Sequence, residues 1–155
     1  MCITLPVHHF ASLSGQRRIR AAGSCFFEFF IDGVLQEDIT NNNQSGVVGK
    51  GVIPSGSHVV GVHSSCSSDT SRFGFIVEIS AGLLVTDGIW KCSGTYTSGW
   101  YVASFDVSAW LSAVIVSPNN GKIFQLVAGI SAQSNWIWAA GSNVYEVYCR
   151  TSVSK

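Results

Sequence analysis

Residues 25–34 read Cys25-Phe26-Phe27-Glu28-Phe29-Phe30-Ile31-Asp32-Gly33-Val34. Side chains alternate along an extended chain, so Phe27, Phe29 and Ile31 share one face while Phe26, Glu28 and Phe30 share the other. A run this apolar on both faces suits a central strand that is covered on much of each side. Asp32-Gly33 follows at once, and that pair is favoured in two-residue hairpin turns because both central positions need positive φ. The stretch therefore predicts a central strand, a tight turn and an antiparallel return strand over 34–39, more polar and nearer an edge.

The same grammar continues outward. Residues 47–53 form a Gly-spaced run ended by Pro54-Ser55-Gly56, and 58–63 are rich in β-branched residues. Residues 64–71 read as a Ser-rich loop carrying Cys66, and 72–79 place Phe73, Phe75, Val77 and Ile79 on one face. Residues 83–85 are apolar. Residues 95–110 are aromatic and Ser-rich without clean periodicity. Further strands are expected over 113–116 and 123–127, split by Pro118-Asn119-Asn120-Gly121, and the chain closes with 136–139 and 144–150. This makes about eight to ten short strands with a turn signal every ten residues or so, and no amphipathic helix of useful length. The expected fold is all-β, two sheets packed face to face in a jelly-roll β-sandwich over 23–155. Residues 1–22 read as an irregular N-terminal tail, with Arg17, Arg18 and Arg20 as a solvated basic cluster.

The chain has 155 residues, enough for one domain. Only 12% are charged, against about 25% in an average globular domain. Ser, Gly, Thr and Asn take their place, as on many secreted β-proteins. The net charge is zero and the pI near 6.9, whereas a nucleic-acid surface shows a basic stripe and a pI above about 9. No apolar run approaches the roughly 20 residues of a membrane span, so neither nucleic acid nor membrane insertion is expected. Nothing here fixes an oligomeric state. The five cysteines, Cys2, Cys25, Cys66, Cys92 and Cys149, form no C-x-x-C pair. Their wide spacing is that of disulfides joining distant strands, with Cys2 left over. Asn43-Gln44-Ser45 is a glycosylation sequon in a polar loop. These features point to a secreted, extracellular protein, although residues 1–10 lack the apolar run of a signal peptide.

Signatures of catalysis are missing. There is no G-x-S-x-G elbow, no H-E-x-x-H and no phosphate-cradling glycine loop, so no enzymatic activity is expected. His58 and His63 lie five apart on one strand and point to opposite faces, and His8-His9 sits in the tail, so no metal site is expected. Asp32 and Asp38 read as turn or edge residues. Asp87 and Asp106 each precede a Trp within a loop. They read as turn residues that bond backbone N–H groups, or alternatively as acceptors of a sugar hydroxyl.

Sugars present flat C–H faces that stack on Trp or Tyr, while carboxylates and Arg read their hydroxyls; sites of this kind mix aromatic walls with a few placed polar groups. The candidate ligand-binding residues are Arg72, Tyr96, Trp100, Tyr101, Asp106 and Trp110; Phe105 lies in the same aromatic stretch. Trp90, Trp136 and Trp138 are assigned to the core. Trp100 and Trp110 have a second reading, as pins that hold a long loop onto the sandwich.

Several segments resemble those of galactose-binding-domain-like jelly rolls. They are Gly23-Ser24-Cys25-Phe26-Phe27 with Ile31-Asp32-Gly33, Val85-Thr86-Asp87-Gly88-Ile89-Trp90-Lys91-Cys92, Gly99-Trp100 with Phe105-Asp106-Val107-Ser108-Ala109-Trp110, Trp136-Ile137-Trp138-Ala139 and Val147-Tyr148-Cys149-Arg150. They occur in the expected order from Gly23 to Thr151, and nothing before Gly23 matches. The resemblance implies a non-catalytic, lectin-like carbohydrate-binding module of secreted proteins, with glycans or glycoproteins as partners. Related folds often hold a structural calcium near a loop, though no clustered carboxylates here demand a cofactor. In such a sandwich the runs starting at Cys25 and ending at Cys66 would be antiparallel neighbours. That pairs Cys25 with Cys66 and leaves Cys92 for Cys149, one of the three connectivities open to four cysteines. The alternative function is a structural or protein-binding extracellular adhesion module whose exposed aromatics meet a partner protein. A third is an accessory domain of a glycoside hydrolase standing alone.

Overall fold

The computed structural model describes residues 15–40, 48–68, 72–80 and 82–154. Among them there are twelve strands and no helix: β1 (Arg17–Gly23), β2 (Phe26–Ile31), β3 (Val34–Leu35), β4 (Gly49–Ile53), β5 (His58–Ser65), β6 (Phe75–Ile79), β7 (Leu84–Val85), β8 (Lys91–Ser93), β9 (Leu111–Ser112), β10 (Val114–Pro118), β11 (Asn135–Trp138) and β12 (Glu146–Val153). The first sheet runs β10-β11-β6-β1-β4, with β7 added on β6, and the second runs β3-β2-β5-β12-β8-β9. All pairings are antiparallel. The chain passes repeatedly between the sheets, and their inner faces bury Ile19, Phe27, Phe29, Val62, Phe75, Val77, Trp90 and Ile137. The architecture is an all-β, two-sheet sandwich.

The opening stretch folds as its pattern demands. Phe27, Phe29 and Ile31 face the core, and Phe26, Glu28 and Phe30 face outward. Asp32 and Gly33 take φ of 48° and 81°, and the turn registers Ile31 against Val34. The return strand is shorter than expected and ends at Leu35. Beyond it the chain turns under β4 and buries Ile39. A Cβ at Gly49 would collide with the Ile39 backbone carbonyl, and one at Gly51 would lie 2.6 Å from Ile39 Cδ1. The glycine spacing of β4 therefore reflects a close crossing.

Four sequence expectations are corrected. The tail expected over 1–22 gives way at Arg17 to β1, which lies between β6 and β4. Ile19 and Ala21 point into the core, while Arg18 and Arg20 stand on the outer face. Small Ala21-Ala22-Gly23 is weak strand material by propensity, yet small residues suit a strand covered on both sides. Next, β5 runs on to Ser65, because Ser64 satisfies its hydroxyl on the Phe26 carbonyl (2.9 Å) while fully buried. Residues 72–74 precede β6 and are not strand, since pairing with β1 begins only at Phe75. Finally, residues 123–127 form no strand; they belong to a loop that packs on the first sheet. Cys2, His8-His9, the loop at 41–46 and its Asn43 sequon lie outside the described residues.

Cys25 bonds Cys66 and Cys92 bonds Cys149, with Cα separations of 5.2 and 4.1 Å. This is the pairing the resemblance implied. The bridges span 41 and 57 residues, and chain-entropy arguments give each about 3–4 kcal/mol. Two such bonds fit an oxidising, extracellular environment. Among the described residues no helix is long and apolar enough to cross a membrane.

Candidate functional site

The outer face of the second sheet gathers aromatic and ionisable side chains from three strands. Strand alternation places Glu28 and Phe30 of β2, Gly61 and His63 of β5, and Glu146, Tyr148 and Arg150 of β12 side by side. The registers Glu28↔His63, Phe30↔Gly61, Tyr148↔His63 and Arg150↔Gly61 bring them into rows.

The loop 94–110 lies on this face and Trp100 anchors it. Its indole meets Phe30 and Tyr148 edge-on, at centroid distances of 5.4 and 5.3 Å. It sits over Gly61, where a Cβ would approach the ring to 3.0 Å. Arg150 reaches up from β12 and fixes the loop backbone. Its Nη1 donates to the carbonyls of Trp100 and Val102, each at 2.7 Å, and Nη2 to that of Ala103 at 3.4 Å. The same guanidinium lies 5.7 Å from the centre of the Phe105 ring.

The six sequence candidates separate. Trp100 is 2% exposed, so it pins the loop and has no face for a ligand. Tyr101 stacks on Phe30 (5.0 Å, 10°) and is half-buried. Tyr96 is 60% exposed and leans edge-on against Tyr148 at 5.7 Å. Trp110 packs on Phe105 at 5.4 Å and lines a small recess with Gly94 and Ala139. Asp106 is exposed, but its carboxylate accepts the Ser108 amide at 2.9 Å, and that bond holds it below the usual carboxylate range. The Asp87 carboxylate likewise accepts the Ile89 amide at 2.9 Å. Both act as turn residues. Arg72 donates to the Ile123 carbonyl, which places it with the loop over the other sheet. The assigned core tryptophans, Trp90, Trp136 and Trp138, are all buried.

Sequence reasoning missed the centre of the face. His63 lies between two acids, with Nδ1 2.7 Å from Glu28 Oε1 and Nε2 2.7 Å from Glu146 Oε1. A ring with a proton on each nitrogen donates to both. The ring also stacks on Tyr148 at 4.7 Å and 5°. The Tyr148 hydroxyl donates to the same Glu146 oxygen at 2.8 Å, and neither bond uses Oε2. The His63 bond, then the Tyr148 bond, holds the Glu146 carboxyl below its ordinary value against the opposing effect of burial. Burial first, and the bond to Glu146 second, pushes the Tyr148 phenol well above its ordinary value. The only sequence signal was that Glu28 stands on the outward side of β2. Its meeting with His63 and Glu146 depends on the register of three strands.

The result is a flat exposed ring, Tyr96, packed against Tyr148, whose hydroxyl bonds the ionised acceptor Glu146, on a face stiffened by stacked rings. Among the described residues no group of three or more His, Cys, Asp and Glu side chains is arranged to hold a metal ion. The chain matches no family model, no curated protein and no solved structure.

Proposed function

We propose that this sandwich is a galactose-binding-like jelly roll, secreted and without catalytic activity, that binds carbohydrate on the outer face of its second sheet. The observation that carries this reading is the exposed Tyr96 ring held against Tyr148 next to the Glu146 carboxylate. A sugar C–H face stacks on Tyr96, and its hydroxyls donate to Glu146 and Glu28 in charge-assisted bonds. The Arg150 and Trp100 contacts order the loop before any ligand arrives, which lowers the entropic cost of binding. The ordered motifs from Gly23 to Thr151 support the same reading.

The test is a glycan array followed by calorimetry on the best glycan. Tyr96→Ala is expected to weaken binding about ten-fold, equal to about 1.4 kcal/mol, while the melting temperature stays unchanged. A folded protein that binds no glycan, or one indifferent to Tyr96, overturns the proposal. It would then favour an adhesion module, for which one observation speaks. Ile89 and Leu111 beside β8 and β9, and Val114 and Ile115 on β10, are exposed apolar residues at the edges of both sheets. Such residues suit a protein partner.

A further inference from the structure

We infer a second ligand site, for an acidic saccharide, on the outer face of the first sheet. It goes beyond the aromatic platform and uses none of its residues. A groove of about 650 Å³ is lined by Arg18, Arg20, Glu78, Ser80, Gly129 and Ser131. Arg18 and Arg20 are two apart on β1 with buried Ile19 between them, so both stand on the outer face, about 7 Å apart along the strand. Lys50 of β4 is the cross-strand partner of Arg20 and carries the positive row into an adjoining recess. Among the described residues, none of these three cations forms an ion pair.

The groove is built rather than merely charged. Arg20 lies along Gly129, whose φ is +84°. Its Cδ, Nε and Cζ are each 3.0 Å from where a Cβ at 129 would stand. Glu78 is the cross-strand partner of Arg20 on β6 and is buried. Its Oε2 accepts the Ser131 amide at 2.6 Å, and among the described residues no bond falls on Oε1. The Ser131 hydroxyl oxygen is buried with no hydrogen-bond partner among the described residues.

This set of groups selects a ligand class. Guanidinium forks bind a carboxylate or sulfate in two-point fashion. A carboxylate oxygen and a serine hydroxyl beside them match the hydroxyls of the same molecule. A bare inorganic anion satisfies the arginines but meets Glu78, and a neutral sugar leaves the arginines unused. A sugar bearing an anionic group satisfies both sides of the groove.

The experiment titrates the full chain with a hexamer of galacturonic acid, a sulfated hexasaccharide and the carboxyl-reduced neutral hexamer. The expected result is binding of an anionic oligomer at least ten-fold tighter than the neutral one; which of the two binds tighter identifies the preferred anion. The Arg18→Gln/Arg20→Gln double variant is expected to lose at least ten-fold. Gly129→Ala, which displaces Arg20, is expected to lose several-fold. Raising salt from 0.1 to 1 M shortens the screening length from about 10 to about 3 Å and should weaken binding further. Tyr96→Ala should change none of this, so failure here is separable from failure of the platform reading. Melting curves report folding of each variant, and Lys50→Gln, at the exposed end of the row, serves if the double variant does not fold. Equal binding of the neutral hexamer, affinity unchanged in the folded variants, or tighter binding of an oligonucleotide of equal charge overturns the proposal.

Discussion

Both sheets are covered on the outside by a long loop, and the two loops are held in opposite ways. The loop 94–110 is gripped from below: Arg150 on β12 reaches up to its carbonyls, and Trp100 drops into the space that Gly61 leaves. The loop 119–134 grips itself. The buried Asn119 side chain donates to the carbonyls of Val127 (3.1 Å) and Ile130 (2.9 Å) and accepts the Val127 amide (2.9 Å). Phe124, Val127 and Ile130 then settle as a unit on Ala22, Ile76 and Trp136, with Phe124 stacked on Trp136 at 4.4 Å. The first loop is held chiefly by side chains of the sheet, whereas the second is braced chiefly by Asn119 within it, with Glu78 of β6 adding a bond to the Ser131 amide. The first loop presents the aromatic platform, and the second supplies a wall of the basic groove.

The contrast is most easily broken at Trp100. Trp100→Ala removes the anchor and leaves a cavity over Gly61, with an expected cost of about 3–5 kcal/mol in chemical denaturation. Proteolysis should then cut 94–110 before 119–134. Equal sensitivity of the two loops would show that the anchor is not what shapes the first. Asn119→Ala comes next. It strands two carbonyls and an amide, at an expected cost of about 2–3 kcal/mol. Hydrogen exchange should accelerate at Val127 and Ile130 and leave 94–110 untouched. Acceleration spread over both loops would erase the distinction.

The smallest effect concerns pH. Titratable contacts lie beneath both loops: Glu146 and Tyr148 under the first, and Glu78, which accepts the Ser131 amide, under the second. Glu146 is held below its ordinary value of 4.5, so its contribution is complete above that pH and is lost as pH falls through the lower folded value. Tyr148 is held above its ordinary value of 10, so its contribution is lost only as pH rises past 10. Glu146 is half exposed, so its share is expected to stay below about 1 kcal/mol. Glu146→Gln should flatten the acid limb of stability between about pH 5 and 3. An unchanged limb would assign it to other groups.

What the sequence made legible follows the range of the forces involved. The β2 hairpin could be read because its alternation and its Asp32-Gly33 turn are local. The buried indoles of Trp90 and Trp138 find carbonyls only five and six residues away, at Val85 and Val144, and their place in the core was foreseen. The pairing of the cysteines came from the resemblance. By contrast, β1 was hidden because its outward arginines and small residues read as a solvated tail, and its burial is conferred by β4, β6 and the loop 119–134. Residues 123–127 looked like a strand because they are apolar, yet Asn119 commits their backbone elsewhere. The fate of Trp100 depends on Gly61, and the linkage of Glu28, His63 and Glu146 depends on cross-strand register. A single pass along the chain sees neither.

The crossing of Ile39 beneath β4 has a consequence for how this sequence can drift. Positions 39, 49 and 51 are sterically coupled, because two of them lack side chains so that the third can lend its own. They are not equally bound. Gly49 faces backbone, which cannot be mutated away, while Gly51 faces only the tip of a side chain. Variation at 51 can therefore enter through a smaller residue at 39, and at 49 it has no such entrance.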